Sequence, residues 1–476
     1  MKIRSLKLIE RNKVLLLFFL IIIFGLLYSL LSAQRHQRFD SFAYDLGIFD
    51  QAIWKYSQLK DPFNTIKEKH IFGDHFSPTL VMLAPLYWFW DDVRALLFCQ
   101  AFWLAFSAYP VFLLAKRKKL PALTGLVVVT LYLSFFGFQH ALNFDFHASV
   151  LAAGLAPWLI YFLDKKDWLK FSLSAILFVG LKENLALTIL AFGLISFWRQ
   201  DKKQGLLMVI IPTVYFLLVT RVVIPSFSPT GYEYQPVLPS NLLSLIRGMF
   251  WPEVKLKTWF YSLAWFSFLP LLAPQTLIPV IIDLAQHFLA GEKYSGLFMH
   301  YRASLAPFLA WGAIEALAWL KKRTNLSLLI FLILLPPIFF QYNLHLPLNR
   351  LSKKYYWQEE DWMRNNREIL SLIKKEDSIV AQNNLVPHLS HRDEIYLAWP
   401  REKDGRWWLF WAGEPEYLVV DLHPGQAITH LLTSSERELT EAVENMEQDS
   451  VLNLVKSKGE SRLYRINYED QKDEFH

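Results

Sequence analysis

The sequence predicts a polytopic α-helical membrane protein with a small α/β domain at its C-terminal end. Three observations lead there. Hydrophobic residues make up 53% of the chain and charged residues only 19%, a balance that soluble domains do not show. Long apolar runs are closed by clusters such as Lys116, Arg117, Lys118 and Lys119, the pattern of membrane helices with cytoplasmic basic flanks. After Tyr342 these runs cease, and short strand-like stretches alternate with polar ones. The basic flanks also account for most of the net charge of +6, so no nucleic-acid partner is implied. The single cysteine, Cys99, excludes an intramolecular disulfide and leaves a thiol-ligated metal without support.

The first apolar run, Val14 to Leu31, follows Lys2, Arg4, Lys7, Arg11 and Lys13. It is long for a signal-peptide core and no clear small-x-small cleavage site follows. It therefore reads as an uncleaved helix with a cytoplasmic N-terminus, which places residues 34–75 outside. Of the two apolar pieces before Lys116, residues 76–90 fall short of the roughly 20 residues that a span needs. Residues 93–115 therefore cross, and 76–90 read as an interfacial or re-entrant segment. Residues 120–138 go out and 148–164 return. The stretch 168–198, basic at both flanks, reads as two short helices with "KEN" at an external turn. Residues 205–224 go out, 258–273 and 276–290 form a return pair, 303–320 goes in and 326–342 goes out. The expected total is about eleven crossings, in a range of roughly nine to thirteen.

Residues 1–342 are thus expected to form a transmembrane domain, with external loop 1 at 34–92 carrying amphipathic helices. Residues 343–476 are expected to form a soluble extracytoplasmic domain. In it "DSIVAQ", "EIYLAW" and "YLVVDL" read as strands. "SSERELTEAVENMEQ" reads as a helix capped by Ser435 with Glu438 three residues on.

Candidate chemistry gathers in the segments expected outside. In "RFDSFAYDLGIFDQAIW" and the residues just after it, Phe42, Leu46, Phe49, Ile53 and Tyr56 would share one stripe of a helix. Asp45, at about −60° from Phe42, and Asp50, at about +80°, would border that stripe, while Asp40 would point away. A helix lying on the outer leaflet would hold Asp45 partly desolvated, suited to taking a proton from a hydroxyl. Gly47 marks either a break in that helix or a close backbone approach. Asp74 and His75, Asp145 and His147, Lys182 and Glu183, and His300, Tyr301 and Arg302 fall in four further external segments. Mixed cations and carboxylates at one membrane rim suit a phosphate-bearing ligand together with a base. Snorkelling anchors are the structural alternative for Lys182 and Arg302. His75, His147 and His300 lack a local metal-ligand spacing. No cofactor is assigned, and a divalent metal stays open. No P-loop, G-x-S-x-G or dinucleotide fingerprint is present.

"YDLGIFDQAIW", "GDHFSPTLVMLAPLYWFW", "FDFHAS", "LKENLALTIL" and "AQNNLVPHLSHRDEIYL" together resemble a family of prokaryotic integral membrane proteins catalogued as a domain of unknown function. That family is grouped by remote similarity with the GT-C glycosyltransferases, and the resemblance covers nearly the whole chain. The family turn usually reads F-H-P where this chain has Phe146-His147-Ala148. The GT-C group includes the protein O-mannosyltransferases and the lipid A aminoarabinose transferases. By analogy it implies a GT-C-like fold and a sugar carried on a polyprenyl-phosphate donor at the external leaflet. It also implies a base in the first external loop, usually with inversion, and Asp45 best matches that position. The Lys182 turn looks like the lysine-bearing turn of the lipid A enzymes. On this reading Lys182 and Arg302 bind the donor phosphate, and Asp50, His75, His147, Glu183, His300 and Tyr301 are pocket candidates. The acceptor would be a lipid, glycan or protein outside the cytoplasmic membrane. The alternatives are a transporter or flippase of a lipid-linked saccharide, or a non-catalytic assembly protein.

Overall fold

The computed structural model describes residues 2–235, 239–324, 326–426 and 435–468. The chain forms two compact units. The first comprises Met1–Ser32, Phe72–Leu80 and Leu97–Lys353; the second comprises Ala33–Ile71, Val81–Leu96 and Lys354–His476.

The first unit is built from apolar helices. Among the described residues three helices are long and apolar enough to cross a membrane: Ile9–Gln37, Arg94–Arg117 and Lys202–Phe227. The pair Ala122–Leu133 and Phe136–Leu142, bent by 42°, makes a fourth if counted as one span. The other expected crossings fall on shorter or less apolar helices. The expected total of about eleven rests on reading those shorter helices as crossings too. Residues 168–198 form the two short helices read from the sequence, Trp168–Val179 and Ala186–Trp198, of 12 and 13 residues, joined by a tight turn carrying Lys182.

The outward faces of these helices suit lipid. Leu169, Leu173, Ile176, Ile211 and Ile338 are all exposed, as an apolar solvent permits and water does not. The interior is aromatic: Trp265 and Trp311 are buried, and the Trp265 indole donates to the Leu131 carbonyl at 2.9 Å. The basic helix ends are tied by buried or half-buried carboxylates. Asp164 meets Arg117, Lys118 and Arg199, and Glu315 meets Lys118 and Arg199. Shared carboxylates let several cations approach one another without net repulsion.

The second unit assembles segments far apart in sequence. Its small ladder pairs β1 (Phe63–Asn64) with β2 (Lys69–His70). Its main sheet uses β3 (Ile379–Ala381), β4 (Ile395–Leu397), β7 (Tyr417–Asp421), β8 (Leu452–Lys458) and β9 (Ser461–Ile466), in the order β4-β3-β7-β9-β8. β3 runs parallel to both β4 and β7, whereas β9 runs antiparallel to β7 and β8. The hairpin β5 (Trp399–Lys403) and β6 (Arg406–Phe410) turns through Asp404 and Gly405, both at positive φ, as a two-residue primed turn requires. Leu409, Leu418, Val420 and Tyr464 form one core with Leu439, Val443 and Met446 of the helix Glu436–Gln448. "DSIVAQ", "EIYLAW" and "YLVVDL" are strands as read from sequence, and Ser435 and Glu438 form the expected capping box.

The stretch 38–54 departs from expectation. It is not one helix: Tyr44 has φ −89° and ψ 109°, a short turn spans Ala43–Gly47, and the regular helix is Ile48–Ser57. Phe42, Leu46, Phe49 and Ile53 are at most 4% exposed, so the stripe faces protein and not lipid. A period-matched apolar stripe cannot by itself distinguish these two partners. Gly47 marks a close approach, since a Cβ there would lie 3.0 Å from the Val386 side chain and 3.3 Å from that of Ile66.

Replacing Ser435 by Ala removes the acceptor for the Glu438 amide. It should cost about 1 kcal/mol, read as a lower denaturation midpoint, with the sheet's circular dichroism retained before the transition.

Candidate functional site

In the first unit the Lys182–Glu183 turn is fixed by burial of its carboxylate. Glu183 is fully buried and accepts hydrogen bonds from the Phe76 amide at 3.2 Å and the Tyr232 hydroxyl at 3.1 Å, and it pairs with His75 Nδ1 at 3.0 Å. A carboxylate on Nδ1 orients the ring and leaves Nε2 for another partner. The His75 ring stacks on Tyr234 at 4.2 Å, and the Tyr234 hydroxyl donates to Asp74 at 2.7 Å. The Lys182 ammonium lies 5.9 Å from the centre of the same Tyr234 ring. The sequence placed His75 in one external segment and Lys182 with Glu183 in another; the buried Glu183 carboxylate draws the two segments together.

His147 caps the helix Ala148–Lys165. Its backbone is extended, and its Nδ1 accepts from the Ser149 amide at 3.0 Å, which puts the ring proton on Nε2 when the ring is neutral. Ala148 takes the first helical position, one that proline also favours, so the departure from F-H-P leaves the helix start intact. The His147 and His300 rings stack at 3.7 Å, and His300 also packs on Tyr301 at 4.3 Å. His147 lies within electrostatic reach of His300, Lys182, His75 and His287. Four of the groups selected from the sequence, His75, His147, Lys182 and His300, thus share one region of the first unit with His287.

Arg302 is fully buried. Its Nη2 donates to the Tyr294 carbonyl at 2.9 Å and its guanidinium carbon lies 5.9 Å from the Phe288 ring centre. Nε and Nη1 have no hydrogen-bond partner. Asp283 is near enough to favour its charge, and Asp283 Oδ2 likewise lacks a hydrogen-bond partner. A bilayer anchor would carry its head toward water, so burial argues against snorkelling for Arg302. Gly137 keeps this arginine in place, because a Cβ there would meet the Arg302 carbonyl oxygen at 2.6 Å.

Asp45 and Asp50 belong to the second unit. Asp45 is half-buried in the Ala43–Gly47 turn. Asp50 is fully buried, accepts from the Tyr87 hydroxyl and from Ser390 Oγ at 2.5 Å, and pairs with His391 Nε2 at 3.1 Å. His391 Nδ1 in turn meets Asp91 at 2.6 Å, and Asp91 meets Lys375 at 2.7 Å. All the capacity of Asp50 near this network is engaged structurally, which makes it a clasp between the helix Ile48–Ser57 and the segment around His391. Tyr87, Ser390 and His391 were not singled out from sequence. "VPHLSHRDE" contains two histidines without a spacing signature, and only folding brings one of them to Asp50.

Residues 35–450 match a family described as predicted membrane proteins, DUF2079, whose function is unknown. The chain belongs to that family. A search of curated proteins finds no match. The match covers most of both units, including Asp50, Tyr87, Ser390 and His391, and ends before strands β8 and β9.

Two outcomes test these placements. Gly137→Ala should force the Arg302 backbone away and destabilise the protein by about 1–3 kcal/mol, read as a lower melting temperature in detergent. The second concerns His391. Burial pulls its pKa down, but Asp50 and then Asp91 outweigh burial and raise it. A raised histidine stabilises fully below its unfolded value of about 6.5 and loses that contribution as pH rises through the folded value. The melting temperature should therefore fall from pH 6 upward more steeply in the native protein than in His391→Gln. Parallel curves would show that the clasp has no titrating role.

Proposed function

We propose that this protein is a GT-C-like integral membrane glycosyltransferase that transfers a sugar from a polyprenyl-phosphate donor to an extracytoplasmic acceptor, with inversion. The observation that carries the reading is Arg302, a fully buried guanidinium with Nε and Nη1 unpaired in the protein. Leaving charged donors buried without acceptors is unfavourable, and a phosphate accepts from just such a fork. Lys182, held beside the Glu183–His75 pair, adds a second cation for the same ligand. A lipid-linked donor reaches its enzyme by diffusing within the bilayer, which fits cations at the ends of apolar helices.

In this scheme the Asp45 carboxylate takes the proton of the acceptor hydroxyl as its oxygen forms a bond to the anomeric carbon. The bond from that carbon to the phosphate oxygen breaks, and its electron pair stays on the phosphate, where Arg302 and Lys182 stabilise the charge. The leaving group is already an anion, so no second carboxylate is needed as acid. His75, His147, His300 and Tyr301 shape the pocket. A divalent metal would supply the same phosphate stabilisation, and histidine and carboxylate donors are chemically suited to one. About eleven crossings are reached on this reading if the shorter apolar helices also enter the bilayer. The N-terminus would then be cytoplasmic and the C-terminal sheet extracytoplasmic, in the cell membrane.

The test uses the full chain in nanodiscs with a radiolabelled polyprenyl-phospho-hexose, following both donor binding and sugar release. Asp45→Asn should lower release by about 10²–10⁴-fold with donor binding retained. Arg302→Gln should weaken donor binding at least tenfold, and Arg302→Lys should recover part of it. Full release by Asp45→Asn would remove the base assignment, and equal donor binding by Arg302→Gln would remove the phosphate site.

A further inference from the structure

We propose that the second unit carries a saccharide-binding site at the C-terminal ends of its parallel strands. The inference does not rest on the transferase reading. Because β3 and β7 are parallel neighbours, the loops that follow them leave the sheet at the same edge, where open α/β sheets bind ligands. Asn384 comes from the loop after β3, and His423 and Gln426 from the loop after β7. With Asp40, and with Trp362 and Asn365 from the helix Asp361–Leu370, they line a cavity of about 660 Å³. That volume accommodates one or two sugar rings.

The lining selects the ligand class. The Trp362 and His423 rings stack at 4.0 Å and 15°, forming an aromatic wall of the kind on which the apolar face of a pyranose packs. The wall is held from behind: His423 Nδ1 pairs with the buried Asp421 carboxylate at 2.8 Å, and Asn366 donates to that carboxylate at 2.6 Å. Trp362 Nε1 donates to Glu360 at 3.1 Å, which fixes the other ring. Asn384 is 1% exposed, yet its Oδ1 has no hydrogen-bond partner. A buried amide oxygen without a donor is unfavourable, and a ligand hydroxyl would satisfy it.

Charge narrows the class further. Asp40, Glu360, Asp361 and Glu460 line the cavity against one arginine, Arg38, which already pairs with Glu360 at 3.2 Å. Such a rim disfavours phosphate and carboxylate ligands. Carboxylates and planar amides accept from, and donate to, the vicinal hydroxyls of an uncharged sugar. A basic peptide would meet the same acidic rim, but it has no need of the aromatic wall or of the buried amide.

Saturation-transfer NMR on the full chain in nanodiscs tests the site. The probes are the methyl glycosides of glucose, mannose, galactose and N-acetylglucosamine, with maltose, trilysine and inorganic phosphate. At least one saccharide should give ring-proton signals that fall about tenfold or more in Trp362→Ala and in Asn365→Ala, each with an unchanged melting temperature. The signals should persist in Arg302→Gln, which separates this site from the proposed donor site. Absence of every saccharide signal, or signals surviving both Trp362→Ala and Asn365→Ala, would overturn the proposal. So would binding of trilysine or phosphate in place of the sugars.

Discussion

Taking a charge out of water is costly, and the groups that compensate it must come from wherever the chain can bring them. That constraint organises both units. Glu183 in the first unit and Asp50 in the second are fully buried, and each is surrounded by donors from distant segments. Each carboxylate therefore fixes a tertiary arrangement that local propensity does not specify. Arg302 is the counterexample within the first unit: it is just as buried, yet two of its nitrogens are left without acceptors. The first unit thus surrounds Glu183 with donors and leaves both Arg302 and Asp283 Oδ2 short of hydrogen-bond partners.

The two units solve different solvent problems. The first exposes leucine and isoleucine on its outer helices and ties its basic ends through Asp164 and Glu315, as a body surrounded by lipid does. The second builds a mixed sheet with one closed apolar core and takes the segments Ala33–Ile71 and Val81–Leu96 into the same unit as residues after Lys354. The aromatic and apolar residues around Asp45 and Asp50 thereby find protein partners, and Gly47 is needed because the Val386 side chain approaches so closely.

Much of the local structure was legible in the residues. The helix pair about Lys182 follows from an apolar run too long for one crossing, with polar residues at its middle. The capping box at Ser435 and the three strands of "DSIVAQ", "EIYLAW" and "YLVVDL" follow from side-chain spacing and β-branched content. Strands β8 and β9 were not anticipated, because "LNLVKSK" and "SRLYRI" mix charge with apolar residues without a clean alternation. The clasp around Asp50 was not legible either. Tyr87, Ser390 and His391 lie 37 to 341 residues from it, and no periodicity spans such a separation.

By itself the sequence determined the apolar, membrane-suited character of the first 342 residues, the turn at Lys182 and the α/β character of the end of the chain. These depend on composition and on contacts between near neighbours, which a short window of residues contains. Only the tertiary structure decided that the stripe through Phe42 and Ile53 packs on protein, that Asp50 is a clasp and that Arg302 lies buried with free donors. It also decided which loops meet beside Trp362. An apolar stripe or a charged side chain has the same sequence signature whatever covers it. Its partner is settled only when distant segments compete to bury it.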